Sequence, residues 1–222
     1  MLEVILQGSE KVAEGTRAFR FARPAGFAFK AGQAVQLTLD NGEQRLFSLA
    51  SAPFEEELLV ATRMRKDSAF KQALGTLAFG ARVKLQGPTG VFTLHEDASR
   101  AALFIAGGIG ITPFRSMLRQ AEHERSPRRL VLVYSNRRPE LAAFLPELED
   151  LARRHPAFRL HALMTDAEGM LDAARLQGFA GDLGKPVVYV VGPPGMVFGM
   201  QETLSAAGVA DDDIRSEEFY GY

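Results

Sequence analysis

The chain has 222 residues, 26 Lys plus Arg against 27 Asp plus Glu, a formal net charge of -1, 46% hydrophobic residues, and neither Cys nor Trp. Without cysteine there is no disulfide framework, no thiol-ligated zinc or iron–sulfur centre and no thiol nucleophile. The balanced charge leaves no electrostatic footprint for a nucleic acid, and the hydrophobic share is enough for one large or two smaller packed domains.

The opening residues, MLEVILQGSEKVAEG, alternate and lack the basic start and apolar run of a signal peptide. TRAFRFARP (16–24), QAVQLTL (33–39), RLFSLAS (45–51), ELLVATRM (57–64) and ARVKLQGP (81–88) read as short strands. In the second of these, Ala34, Gln36 and Thr38 face one way and Val35, Leu37 and Leu39 the other. Asn41-Gly42 between two alternating runs predicts a hairpin. DSAFKQAL (67–74) interrupts the strands with a short helix capped by Asp67 or Ser68. Residues 1–98 therefore predict an N-terminal antiparallel six-stranded β-barrel of Greek-key type.

The pattern then changes, with a boundary near His95–Ser99. AALFIAG (101–107), RLVLVYS (129–135), FRLHALM (158–164) and VVYVVG (187–192) read as buried strands. TPFRSMLRQAEHE (112–124), PELAAFLPELEDLARRH (139–155) and GMVFGMQETLSAAG (195–208) read as helices, and DIRSEEFYGY (213–222) as a last strand. Residues 99–222 predict a Rossmann-like α/β domain with a parallel sheet. The longest apolar run, near Pro186–Pro194, is far below the roughly 20 residues that span a bilayer. No membrane insertion and a cytoplasmic location are expected.

Three segments carry candidate chemistry. Gly107-Gly108-Ile109-Gly110-Ile111-Thr112-Pro113 lies where a buried strand meets a helix. Glycines allow a ligand close to the backbone, Thr112 is a candidate N-cap, and the helix start favours a phosphate, the alternative being a tight strand–helix turn with no ligand. Val191-Gly192-Pro193-Pro194-Gly195-Met196 sits at another strand's carboxyl end, where a stiff turn can support a flat ring or serve only as a connection. In Arg45-Leu46-Phe47-Ser48, alternation puts Arg45 and Phe47 on one face and Ser48 on the other; an arginine can fork onto a diphosphate and an aromatic can stack on a planar ring, but taken alone the segment better suits a strand with Phe47 in the core and Arg45 in solvent. Arg137 and Arg138, after the second parallel strand, suit either a 2′-phosphate or a solvated face. Arg115, Arg119, Arg125, Arg128 and Arg129 form a basic stretch, which suits an acidic redox partner or a solvated helix face. Glu55–Glu57 and Asp211–Asp213 read as exposed loops. Met164, Met170, Met196 and Met200 read as gap fillers. The four histidines show no ligand spacing, and no metal site is expected.

In order and spacing these segments resemble the ferredoxin–NADP reductase superfamily, a flavin-binding barrel followed by a pyridine-nucleotide domain. The resemblance spans nearly the whole chain. It rests on Arg45-x-Phe47-Ser48, on Ser68 opening a short helix, on Gly87-Pro88-Thr89-Gly90, on Gly107–Pro113, on Val191–Met196 and on the acidic, aromatic end Glu217–Tyr222. It implies an FAD-dependent enzyme that moves hydride from NAD(P)H to flavin N5 and passes electrons to a separate acceptor, such as a small redox protein or an oxygenase component. A flavin reductase using flavin as substrate is one alternative, and a non-enzymatic electron-transfer subunit is another. The resemblance places Arg45 on the FAD pyrophosphate, Phe47 against the flavin and Ser48 near N5. Lys66, Asp67 and Ser68 cap the pyrophosphate. Gly107, Gly108, Gly110 and Thr112 approach the nucleotide, and Val191, Gly192 and Pro193 border the nicotinamide. Glu217 or Glu218 lies at the flavin edge, with Glu218 taken as catalytic beside Ser48, and Tyr222 covers the flavin face. Arg137 tilts the expectation towards NADPH over NADH. Val191 stands where the family often has Cys, and Phe47 where many relatives have Tyr.

Overall fold

A computed structural model of the chain describes residues 1–220. Tyr222, expected at the flavin, lies outside the described residues. The first sheet comprises β1 (Leu2–Ala13), β2 (Thr16–Ala22), β3 (Ala34–Thr38), β4 (Gln44–Ser48), β5 (Glu57–Arg63) and β6 (Arg82–Thr89), with helix α1 (Ala69–Thr76) between β5 and β6. The six strands run antiparallel in the order β4-β3-β6-β1-β2-β5. Alternation sets the inside. Val4, Leu6, Phe19, Phe21, Val35, Leu37, Val60, Val83 and Leu85 form one buried cluster, with Phe70 and Leu74 of α1 added to it. The β3–β4 hairpin turns at Asn41-Gly42 as expected, with Gly42 at φ +81° and the Asn41 Oδ1 accepting from the Glu43 amide at 3.0 Å. No ladder joins β4 to β5. The chain leaving β4 makes the closure instead: the Ala50 amide donates to Leu59 O at 2.8 Å, and the Leu59 amide to Ser51 Oγ at 3.0 Å.

The second sheet is wholly parallel, in the order β11-β10-β7-β8-β9. Its strands are β7 (Ala102–Gly107), β8 (Leu130–Asn136), β9 (Phe158–Met164), β10 (Val187–Gly192) and β11 (Ile214–Glu218). Helices α2 (Ile111–His123), α3 (Leu145–Arg154), α4 (Thr165–Glu168), α5 (Ala173–Ala180) and α6 (Pro194–Ala206) connect them. One face packs Phe114 and Leu118 of α2 and Leu148 and Leu151 of α3 onto Phe104, Leu132 and Tyr189. The other packs Leu176 of α5 and Val197, Met200 and Leu204 of α6 onto Leu103, Val133 and Val190. From β7 the chain steps outward to β8 and β9, then returns to β10 on β7's other side. Strand order reverses there, which opens a crevice at the carboxyl ends of β7 and β10. No helix among the described residues is long and apolar enough to cross a membrane.

Four readings of the sequence are corrected. The single helix over 139–155 is a 3-10 turn (Pro139–Leu141), then Phe144 at φ +61°, then α3. Pro146 explains the break: it cannot donate an amide, and its ring is tolerated only in the first helical turn. Thr112 is not the cap of α2. A 3-10 turn over Gly108–Gly110 starts the helix earlier, so Thr112 lies inside it and its hydroxyl donates to Ile109 O at 3.2 Å. Glu55 is not an exposed loop residue, because it pairs with Arg115 and Arg119. The basic stretch is a solvated surface only in part, at Arg125 and Arg129. Arg115 and Arg128 are buried, Arg128 donates to His95 O at 2.8 Å, and Arg129 donates to Asp182 O at 3.1 Å. His95 itself is buried, with its Nδ1 2.9 Å from the Tyr189 hydroxyl.

Candidate functional site: two cavities meeting at the β7–α2 turn

A cavity of about 750 Å³ lies beside β4. Its wall takes Arg45, Leu46, Phe47 and Ser48 from β4, Asp67, Ser68 and Lys71 from the start of α1, Ile109 and Thr112 from the β7–α2 connection, and Glu217–Tyr220 from β11 and beyond. Two sequence segments chosen separately, the Arg45 strand and the Ser68 turn, thus share one wall, and the second sheet supplies the facing one. The side chains differ in how they reach it. Arg45 is exposed, its guanidinium 5.9 Å from the Phe70 ring centre. Phe47 is buried in the barrel core with its ring 5.6 Å from Phe70, so it forms the cavity floor. Ser48 is buried with it.

Charge within this cavity is mixed, because Glu43, Glu217 and Glu218 line it as well as the cations. Arg45, Arg65 and Lys71 line it near Asp67. Arg65 Nε donates to Asp67 Oδ1 at 2.8 Å, and this bond holds the Asp67 carboxyl down at about 2. Burial lowers the Lys71 ammonium to about 8, helped by repulsion from Arg65, Arg45 and Arg63. Ser68 caps α1, its hydroxyl accepting from the Lys71 amide at 3.3 Å. A helix start near three cations, with Arg45 3.7 Å from Glu43 and Arg65 paired with Asp67, can take an anion with several oxygens that displaces these carboxylates. Lys66 is exposed and absent from the cavity wall. Lys71 and Arg65 were missed in the sequence. Lys71 offers one signal, a cation one turn after the Ser68 cap in a helix otherwise built to bury Phe70 and Leu74.

The acidic end separates into two roles. Glu217 is partly buried and its carboxyl rises to about 7, caused by burial. Glu218 is exposed and accepts a hydrogen bond from the Tyr220 hydroxyl. Pairing of β11 with β10 sets Val191 opposite Glu217, and Phe219 N donates to Gly192 O at 2.9 Å.

A second cavity, of about 500 Å³, opens over the carboxyl ends of the parallel strands. Gly107, Gly108, Ile109, Ser135, Asn136, Arg137, Thr165, Asp166, Met170, Pro193 and Met196 line it, with Glu14, Thr16 and Arg63 from the barrel. Ile109 lines both cavities, so the β7–α2 turn is their shared wall. Met170 is 73% exposed rather than a core filler. Arg137 is paired: its Nε lies 3.2 Å from Asp166 Oδ1, and the Asp166 amide donates to Arg137 O at 3.1 Å. Val191, Gly110 and Gly192 line neither cavity. Val191 is fully buried, and a Cβ on Gly110 would sit 2.4 Å from Val191 O. Their role is close packing of the turn against β10.

Residues 104–202 match the oxidoreductase NAD-binding domain family. The chain is 29% identical to the reductase component 2 of terephthalate 1,2-dioxygenase from Comamonas sp., over 86% of this chain and 59% of that one. It is 31% identical to the reductase component of phenol 2-monooxygenase from Pseudomonas sp. (strain CF600), over 86% of this chain and 58% of that one. It thus spans about three-fifths of the length of these relatives. A ferredoxin NADP+ reductase from Neisseria gonorrhoeae with bound FAD and NADP superposes with a TM-score of 0.87 at 23% identity, covering 98% of both chains.

Proposed function

From an oxidoreductase NAD-binding domain set on the ferredoxin–NADP reductase fold, we propose that the chain is an FAD-dependent NAD(P)H oxidoreductase, with residues 1–98 holding the flavin and 99–222 the nucleotide. The observation that carries this is the 750 Å³ cavity, which joins a cationic helix start, an aromatic floor and the β7–α2 turn. Its residues fit the flavin: three cations and a capped helix for the diphosphate, Phe47 and Ile109 for apolar ring surface, and Ser48 for a ring heteroatom. Bound there, FAD would accept hydride at N5 from NAD(P)H and return electrons to a separate acceptor.

The protein's part is positioning and shielding. Arg45, Arg65 and Lys71 neutralise the diphosphate. Ser48 presents its hydroxyl to the ring edge. Gly107 and Gly108, with no side chain at the crevice, let the nucleotide approach the backbone, and Pro193 stiffens the neighbouring turn. Glu217, rather than Glu218, can hold or release a proton at the cavity wall near neutral pH. For the nucleotide, the Asp166 carboxylate cancels Arg137 and offers an acceptor to ribose hydroxyls, which favours NADH over the NADPH that Arg137 alone would favour. The reductase components among the relatives make an oxygenase-type partner the favoured acceptor.

The test is flavin content after gel filtration, then rapid mixing of the flavin-loaded chain with NADH and NADPH. Flavin that stays bound and bleaches supports the reading. Flavin that separates points to a flavin reductase, and no bleaching with either nucleotide refutes the enzyme. Arg45→Ala and Ser48→Ala variants that keep full flavin and full reduction overturn the site.

A further inference from the structure

We propose that Arg115 is a positioning residue that fixes the flavin cavity against the nucleotide cavity, with Ser116 as its second anchor; this rests on the functional reading above. Arg115 and Ser116 follow Thr112 by three and four residues on α2, so all three share one side of the helix. Thr112 lines the flavin cavity. From the same side, Arg115 Nη1 donates to Ala50 O at 2.6 Å and Ser116 Oγ to Ser51 O at 2.6 Å. Ala50 is two residues past Ser48, which lines the cavity from the barrel side. The path from one wall to the other is therefore three residues of helix, one guanidinium and two residues of extended chain.

The barrel end of that path and the guanidinium are each held by further bonds. The Ala50 amide is tied to Leu59 O at 2.8 Å, Ser51 Oγ accepts from the Leu59 amide at 3.0 Å, and the Ala52 amide donates to Glu55 Oε2 at 2.6 Å. Glu147 of α3 takes Arg115 Nε at 2.8 Å and Nη2 at 2.8 Å, a two-pronged grip that leaves Nη1 aimed at Ala50. The Phe144 ring lies 5.1 Å beneath the guanidinium, presented by a left-handed backbone at φ +61° that bulky residues rarely adopt. Arg115 is only 8% exposed. A buried ion pair adds little net stability over apolar packing, so geometry is what this arrangement supplies. Arg119, one turn on, reaches Glu55, Glu122 and Glu147 but no barrel carbonyl.

The experiment compares Arg115→Lys, Ser116→Ala and Arg119→Lys with the flavin-loaded wild type. Rapid mixing with NADH gives the flavin reduction rate at saturation and the nucleotide dissociation constant, and amide exchange reports residues 50–52. The expected result is reduction slowed about 10- to 100-fold in Arg115→Lys and Ser116→Ala. Flavin content and nucleotide affinity should stay within about twofold, and exchange at 50–52 should quicken. Arg119→Lys should keep its rate within about twofold. An unchanged rate in Arg115→Lys, a loss wholly in nucleotide affinity or flavin content, or an equal loss in Arg119→Lys overturns the proposal. If Arg115→Lys does not fold, Ser116→Ala decides by the same criteria. A wild type that is not reduced refutes the functional reading instead, which separates the two failures.

Discussion

Replacing Glu217 with Gln removes a carboxyl that folding keeps from water. Its rise from the ordinary 4.5 to about 7 corresponds to at most about 3 kcal/mol. Glu217 keeps some solvent contact, so about half of that is expected. The sign follows from proton binding. Below the unfolded-state value both states are protonated, and the group costs nothing. Between 4.5 and 7 the folded state holds the proton more tightly than the unfolded one, so stability falls as pH rises and stays lower above 7. Glu217→Gln is neutral throughout and escapes that loss. At pH 8.5 the variant should be more stable by about 1.5 kcal/mol, or roughly 3–6 °C in Tm for a chain of this length. At pH 4.5 the gap should shrink to a few tenths of a kcal/mol, roughly 1 °C. The assay is thermal unfolding of both proteins at the two pH values, followed by circular dichroism. A gap of the same size at both, or a less stable variant at pH 8.5, refutes the reasoning.

Three further outcomes are expected. Gly110→Ala should cost about 1–3 kcal/mol by denaturant melt, because its Cβ meets the Val191 carbonyl at 2.4 Å. Flavin affinity should weaken as pH rises through about 8, where Lys71 loses its charge. Lys71→Met should weaken it about tenfold at pH 7 and flatten the dependence, as read by equilibrium fluorescence. Asp166→Ser should release Arg137 and raise the NADPH-to-NADH preference in kcat/KM about tenfold, and an unchanged ratio removes Asp166 from the specificity argument.

Several local features were legible in the sequence, though the start of α2 after Gly110 and the break before Pro146 were not. Asn41-Gly42 gave the hairpin because the turn needs a positive φ, and Ser68 gave a cap because its hydroxyl meets an amide three residues on. The runs around Phe104, Val131 and Val188 gave the central strands because those are buried on both faces. Charge pairing was not legible. Arg115 looked like one of a basic series, yet Glu55 and Glu147, its partners, lie 60 and 32 residues away. Glu217 and Glu218 could not be ranked, because their difference depends on register against β10. Residues 165–186, holding α4 and α5, carried no clear period; α5 buries only Leu176 fully.

The strand order also has a kinetic consequence. Strand β1 finds β2 at once through a tight turn, but its other edge pairs with β6, where Leu2 faces Leu85. At about 5–20 residues per second of synthesis, that edge waits roughly 4–16 seconds for its partner. An unpaired strand edge is a template for association with other chains. Glu3, Glu10 and Lys11 place charge along β1 during that interval, so a nascent chain carries its own protection until the barrel can close.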